Sequence, residues 1–269
     1  GDVMDEWLSR VVVDLGQVAA RLSTRVLLVG AYARDLCLGI TEASRATNDA
    51  DFAVLFESWA QLDTFFSHST KHFRDIDRAE LKMYHKETSL KVDIVPCGPI
   101  EEPPGILFLR GSQRQLNTAG LAECFDLGRR LDVSTGEVLL PPPAGFIVLK
   151  LFAFAERREL RDLRDLGHVL HRYPVDDEAI WDDDELMEAF ALQTLNYDDT
   201  PCWQAGRYVA TQFTLATSTK VVGALDDLLG DRPDLRAQII GGLPGVNPDN
   251  RLQQADRVLM VLRRACGGR

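Results

Sequence analysis

Asp49 and Asp51 flank Ala50 at the start of DADFAVLF (49–56), a run that alternates and then turns continuously apolar. Such a run predicts a strand. Side chains two apart on a strand share a face, so both carboxylates stand together while Phe52 and Val54 anchor the other face. Neighbouring carboxylates repel each other unless a cation lies between them. Hard oxygen ligands at this spacing suit Mg²⁺, which completes its shell with water and phosphate oxygens. A third acid, Asp93, sits inside LKVDIVP (90–96), an otherwise apolar stretch predicted to form a central strand. An acid buried there is costly without a partner, and a shared metal would supply one. Asp49, Asp51 and Asp93 are therefore the candidate metal ligands.

Two further features suit a phosphate-bearing substrate. Gly30 closes the apolar run RVLLVG and Ala31 opens the next segment. Backbone N–H groups at such a strand-to-helix junction can cradle a phosphate. Arg45 and Thr47 precede the aspartates in SRATNDADF; Arg45 either contacts triphosphate oxygens or closes a loop salt bridge. Lys150, one of only six lysines, lies in the apolar segment LKLFAFAER, where a lysine can snorkel from a core helix.

The elements that must position these residues follow from hydrophobic spacing. A helix over 3–22 is predicted, then a strand at 25–30, a helix over 31–39 closed by Gly39, and a polar loop at 41–48. The strand at 49–56, a helix over 57–68 and strands at 80–87 and 89–97 complete a β-α-β-α-β-β first half. Residues 124–140 read as strands around a turn at Ser134-Thr135-Gly136. The sharpest composition break is PPPAG (141–145), and everything after it reads as helix. Two helices with a short connection cover 146–173, a third covers 181–195, and single helices fill 203–229 and 249–265. The chain therefore divides into parts 1–140 and 141–269.

The sequence has 269 residues, 45% hydrophobic and 26% charged, which is the composition of a folded globular protein. Its net charge of −11 excludes a whole-surface nucleic-acid binder. A local patch stays open, because 24 of the 30 basic residues are Arg. Yet the arginines of RRELRDLR (157–164) are interleaved with acids, as on a salt-bridged helix face. The five cysteines are scattered with no CxxC pair, and His68/His72 and His168/His171 have no third ligand nearby in sequence. Neither a disulfide framework nor a zinc site is indicated. No stretch is long enough to span a membrane, and the N-terminus lacks a signal-peptide core. A cytoplasmic protein is expected.

Taken together, GAYARD (30–35), RATNDADF (45–52), the acid of LKVDIVP and LKLFAFAERRELRDLRDL (149–166) resemble the DNA polymerase beta-like nucleotidyltransferase superfamily. Within it, the chain looks most like the AbiEii abortive-infection toxins and their MenT-type relatives. The resemblance covers about residues 25–170. It departs at Gly30-Ala31, where the superfamily usually has Gly-Ser, and so lacks one hydroxyl contact to phosphate.

The resemblance implies an α/β (α+β) fold: a nucleotidyltransferase-type mixed sheet with flanking helices, followed by an all-helical C-terminal domain. It implies a catalytic domain at 1–140 and a helical domain at 141–269 that contributes to the nucleotide cleft. Asp49, Asp51 and Asp93 would bind two Mg²⁺ ions. Gly30, Ala31, Arg34, Arg45, Thr47 and Lys150 would contact the nucleotide, with Asp162 and Asp165 orienting the site. The implied activity is Mg²⁺-dependent transfer of NMP from an NTP to a hydroxyl of RNA or tRNA, by a toxin with a cognate antitoxin protein. The alternatives are a small-molecule, aminoglycoside-like nucleotidyltransferase and a non-catalytic nucleotide-binding relative.

Overall fold

The computed structural model describes residues 4–40, 49–110, 114–131, 138–241, 243 and 247–267. Arg45, Thr47 and the turn at 134–136 lie outside them. The chain forms two compact units, Gly1–Pro142 and Pro143–Arg269.

The first unit is a mixed α/β layer structure. Its elements are α1 (Glu6–Arg21), β1 (Val26–Val29), α2 (Gly30–Cys37), β2 (Asp49–Leu55), α3 (Trp59–Ser69), β3 (Phe73–Asp77), β4 (Lys82–His85) and β5 (Lys91–Cys97). After these come β6 (Ile106–Phe108), β7 (Gln115–Asn117), α4 (Leu121–Leu127), β8 (Arg129–Arg130) and β9 (Val138–Leu140). Seven strands form one sheet in the order β3-β4-β5-β2-β1-β9-β8, while β6 and β7 form a separate ribbon. Strand β2 is antiparallel to β1 and parallel to β5. It lies mid-sheet, where Phe52, Ala53 and Val54 are fully buried. Strands covered on both faces read as near-continuous apolar runs, and 52–56 does so.

Helix α1 starts at Asp5, whose carboxylate accepts the Leu8 N–H at 2.7 Å, a side-chain cap for an otherwise unpaired donor. Its Leu8, Val11, Val12, Leu15 and Val18 enter the core. Ser58 caps α3 in the same way, and Phe65 of α3 meets Phe56 edge-on at 5.4 Å. Asp14 of α1 accepts from two imidazoles, His72 Nδ1 at 3.0 Å and His85 Nε2 at 2.9 Å. His72, which lies past the end of α3 at Ser69, is thus tied to α1.

The second unit is helical: α5 (Pro143–Arg157), α6 (Leu160–His171), α7 (Asp177–Trp181), α8 (Asp184–Ala191), α9 (Thr200–Gln212), α10 (Leu215–Leu229), α11 (Pro233–Arg236) and α12 (Arg251–Cys266), with short 3₁₀ turns between them. No helix among the described residues is long and apolar enough to cross a membrane.

Four expectations change. Residues 121–127 form a helix, not a strand, entered through Gly120 at φ 84°. The FRDID segment forms a strand that the sequence did not announce. Residues 181–195 hold the end of α7 and a separate α8, because Asp183 caps a new helix through the Leu186 N–H. The span 203–229 is two helices, since Phe213 turns extended and the Thr214 side chain accepts the Thr217 N–H to start α10.

Helices α9 and α12 approach closely at Gly206. A Cβ there would lie 2.6 Å from Ala265 Cβ and 2.7 Å from Leu262 O. Both neighbours are fixed in the facing helix, so the helices must separate to admit even one methyl. Gly206→Ala should lower unfolding stability by about 1–3 kcal/mol, read as a shift in urea midpoint. An unchanged midpoint would contradict the tight α9–α12 contact.

Candidate active site

The parallel register of β2 and β5 places Asp49 beside Lys91 and Asp51 beside Asp93. Paired residues on adjacent strands share a face, and each strand repeats every two residues. Four side chains therefore stand on one face: Asp49, Asp51, Lys91 and Asp93. Ala50, Phe52 and Val92 point to the opposite face and are fully buried. The strands thus divide polar from apolar cleanly, at the N-terminal ends of β2 and β5.

Lys91 is a member of this group that spacing alone could have found, because KVD repeats the period of DAD. Its ammonium donates to Asp93 Oδ2 at 2.9 Å and stands 3.7 Å from Asp49 Oδ2. The three side chains are 27%, 25% and 47% exposed for Lys91, Asp93 and Asp49. Burial pushes the Lys91 pKa down, but the hydrogen bond to Asp93 and the charges of Asp93, Asp49 and Asp51 together raise it above its ordinary value. Lys91 is therefore a fixed positive charge among the aspartates. Asp93 Oδ1, by contrast, is buried without a hydrogen-bond partner.

The aspartates form a carboxylate face partly offset by one ammonium, not a closed ligand shell. Among the described residues, no group of three His, Cys, Asp or Glu side chains is arranged to hold a metal ion. The donor chemistry nevertheless suits one. All the donors are carboxylate oxygens, the class Mg²⁺ takes, and the bare Asp93 Oδ1 is an oxygen left over for a cation.

Gly30 opens α2 at φ 72°, a left-handed backbone that favours glycine. It also has no room for a side chain. A Cβ would collide with Asp51 Oδ2 and lie 3.1 Å from its Cγ. The Asp51 carboxylate therefore packs on the start of α2, where helix N–H groups lack intrahelical partners. Ala31 is the next residue of that first turn. Tyr32 follows, and its phenol is held above the ordinary value by burial and by the charges of Asp5, Asp49 and Asp35. Tyr32 is a second site neighbour that the sequence reading did not select. Arg34 is buried, with its guanidinium bonded to Asp35 Oδ1 at 2.7 Å.

In the helical unit, Lys150 of α5 meets two acids of α6: Asp162 Oδ1 at 3.1 Å and Asp165 Oδ2 at 2.9 Å. Its ammonium also lies 5.4 Å from the Phe146 ring centre. Asp162 is fully buried and receives a two-pronged contact from Arg157, Nε to Oδ2 at 2.7 Å and Nη2 to Oδ1 at 2.6 Å. Burial raises the Asp162 pKa, but the Arg157 hydrogen bonds and the Lys150 charge outweigh it and lower the value overall. Lys150 is thus not a side chain merely snorkelling to water. The D-x-x-D spacing puts both acids on one side of α6, facing it.

No protein-family model matches the chain, and no curated protein matches it either. Among solved structures, it is similar to the solution structure of the antibiotic-resistance factor ANT(2'')-Ia. That likeness is at 12% identity and TM-score 0.38, spanning 71% of this chain and 95% of that one. At such a score it fixes neither family nor substrate.

Two predictions follow from the charge arrangement. Lys91→Met should cost on the order of 1 kcal/mol, the upper range for a partly exposed pair. The raised Lys91 pKa gives the sign: its stabilisation is complete below the ordinary lysine value of 10.5 and is lost as pH rises through the higher folded value. The gap between parent and variant in chemical unfolding should therefore close at strongly alkaline pH, and a gap that widens there would be inconsistent with the pairing. Asp162→Asn should cost about 1–3 kcal/mol, because it removes a buried carboxylate that receives charged hydrogen bonds from Arg157 and Lys150. Asp162 has a lowered pKa, so its contribution is present above the ordinary 3.8 and lost as pH falls through the lower folded value. A parent–variant gap that stays constant on acidification below 3.8 would rule out that ion pair.

Proposed function

We propose that the chain is a nucleotidyltransferase that moves NMP from an NTP to a hydroxyl acceptor. The observation that carries this reading is the in-register pair Asp51 and Asp93 on adjacent parallel strands, with Asp49 on the same face and the Asp51 carboxylate packed on Gly30. A face of hard oxygen donors beside a helix start is suited to a metal-bound triphosphate.

Asp49, Asp51 and Asp93 are the residues that would hold Mg²⁺. Bound there, Mg²⁺ would offset the negative charge of the triphosphate and lower the pKa of an attacking hydroxyl. The chain's own residues do the rest. The first turn of α2, at Gly30 and Ala31, offers backbone N–H groups to a phosphate. The Asp93 carboxylate accepts the proton of the acceptor hydroxyl. The hydroxyl oxygen then bonds to the α-phosphorus, the bond to the bridging oxygen breaks, and pyrophosphate leaves. Catalysis of this kind rests on positioning and charge rather than on covalent intermediates. Lys91 offsets part of the carboxylates' charge when substrate is absent. Lys150, Arg45 and Thr47 are the proposed further phosphate contacts, with Asp162 and Asp165 orienting Lys150; these roles rest on the AbiEii-like motifs alone.

The resemblance makes RNA, in particular a tRNA end, the proposed acceptor, and a toxin paired with an antitoxin protein the proposed setting. Incubation with each α-labelled NTP, Mg²⁺ and total tRNA should move label to RNA. Label moving instead to an aminoglycoside would make the acceptor a small molecule, and label moving to neither would make the chain a non-catalytic relative. Asp51→Asn should keep the fold and lower transfer at least about a thousandfold, since losing charge stabilisation of several kcal/mol corresponds to roughly tenfold per 1.36 kcal/mol. Transfer at the parental rate by that variant would place the chemistry elsewhere.

A further inference from the structure

The helical unit contains a cavity of about 760 Å³ that the aspartate face does not involve. A volume of that size suits a small organic ligand. Three aromatic rings line it: Trp181 at the end of α7, Phe190 of α8, and Tyr197 in the turn before α9. Trp181 and Tyr197 are 72% and 60% exposed, so their rings are open to a ligand. Asp177 lies in the same wall and accepts the Tyr197 hydroxyl at 2.7 Å.

The lining holds one acid, Asp177, and one cation, Arg257. Both prongs of the Arg257 guanidinium are taken by Asp199. The segment 173–206, which supplies the rest of the lining, contains ten Asp and Glu and no Lys, Arg or His. Asp183 and Glu185 within it are matched by Arg207 and Arg264, whereas Asp177 bonds only to the neutral Tyr197 hydroxyl among the contacts of the described residues. An anionic ligand would meet that carboxylate and an arginine already paired. A cation would meet aromatic faces, which attract it through the ring quadrupole, together with a carboxylate.

We propose that this cavity is a binding site for a small organic cation, an ammonium compound with an apolar or aromatic body. The aromatic walls take the body, Asp177 takes the charge, and the cavity volume limits the ligand to a small molecule. The inference stands on residues of the helical unit alone and does not depend on nucleotidyl transfer.

Calorimetric titration of the full chain with tyramine tests it, alongside tyrosol, which carries a hydroxyl in place of the ammonium, and AMP as an anion. Tyramine should bind with a dissociation constant tighter than about 1 mM, tyrosol at least about tenfold more weakly, and AMP without detectable heat at this site. Trp181→Ala and Asp177→Asn should each weaken tyramine about fivefold or more, the range for a cation–aromatic contact. Trp181→Phe should keep most of the affinity. Trp181 is largely exposed, so Trp181→Ala should melt with the parent, which separates a lost site from a lost fold. No tyramine binding, equal affinity for tyrosol, tighter binding of AMP, or full affinity in Trp181→Ala would each overturn the proposal.

Discussion

The register between β2 and β5 is the constraint on which the site depends. The two strands run parallel and match residue for residue, with Asp51 opposite Asp93. A one-residue slip would turn every side chain of one strand to the other face. It would bury Asp49 and Asp51 and expose Ala50 and Phe52. The apolar sides of both strands forbid that, so burial of Ala50, Phe52, Val92 and Ile94 is what gathers the acids. Function-bearing polarity is here a by-product of hydrophobic registration. The cost is repulsion between carboxylates held side by side, and Lys91 offsets it from within the same strand face.

That logic was largely legible in the sequence. Period-two spacing predicted that Asp49 and Asp51 share a face, and the apolar flanks of Asp93 predicted a central strand. Lys91 obeyed the same spacing, but a lysine at the start of a strand ordinarily reads as a solvated end. Its role emerged only when β5 was set beside β2, a pairing between segments about forty residues apart that no local pattern encodes. Gly30 was visible as a junction, whereas its need to stay bare came from Asp51 packing against it.

The departures were local. FRDID has three charged residues and a burial pattern with only Phe73 inside, so no alternation marked it as an edge strand. Residues 121–127 are too few to display a helical period and carry no side-chain cap at Gly120. The break between α9 and α10 falls at Phe213 and Thr214 without Gly or Pro. Its signal was a Thr three residues before another Thr, which caps a helix as well as it sits inside one. In each case tertiary packing decided between readings that propensity left nearly equal.

One electrostatic pattern recurs in both units. The chain has six lysines, and two of them are each held between a pair of aspartates, Lys91 by Asp49 and Asp93, Lys150 by Asp162 and Asp165. Each ammonium is thus held by carboxylates of its own unit, in a matched local set. Removing a member of such a set is the expensive event, because it leaves a charge unpaired in a place partly withdrawn from water. The same pairing explains how a protein of net charge −11 keeps two lysines largely shielded from solvent: attraction at contact distance holds them there, whereas a long-range field would be screened beyond a Debye length of about 8 Å at physiological salt.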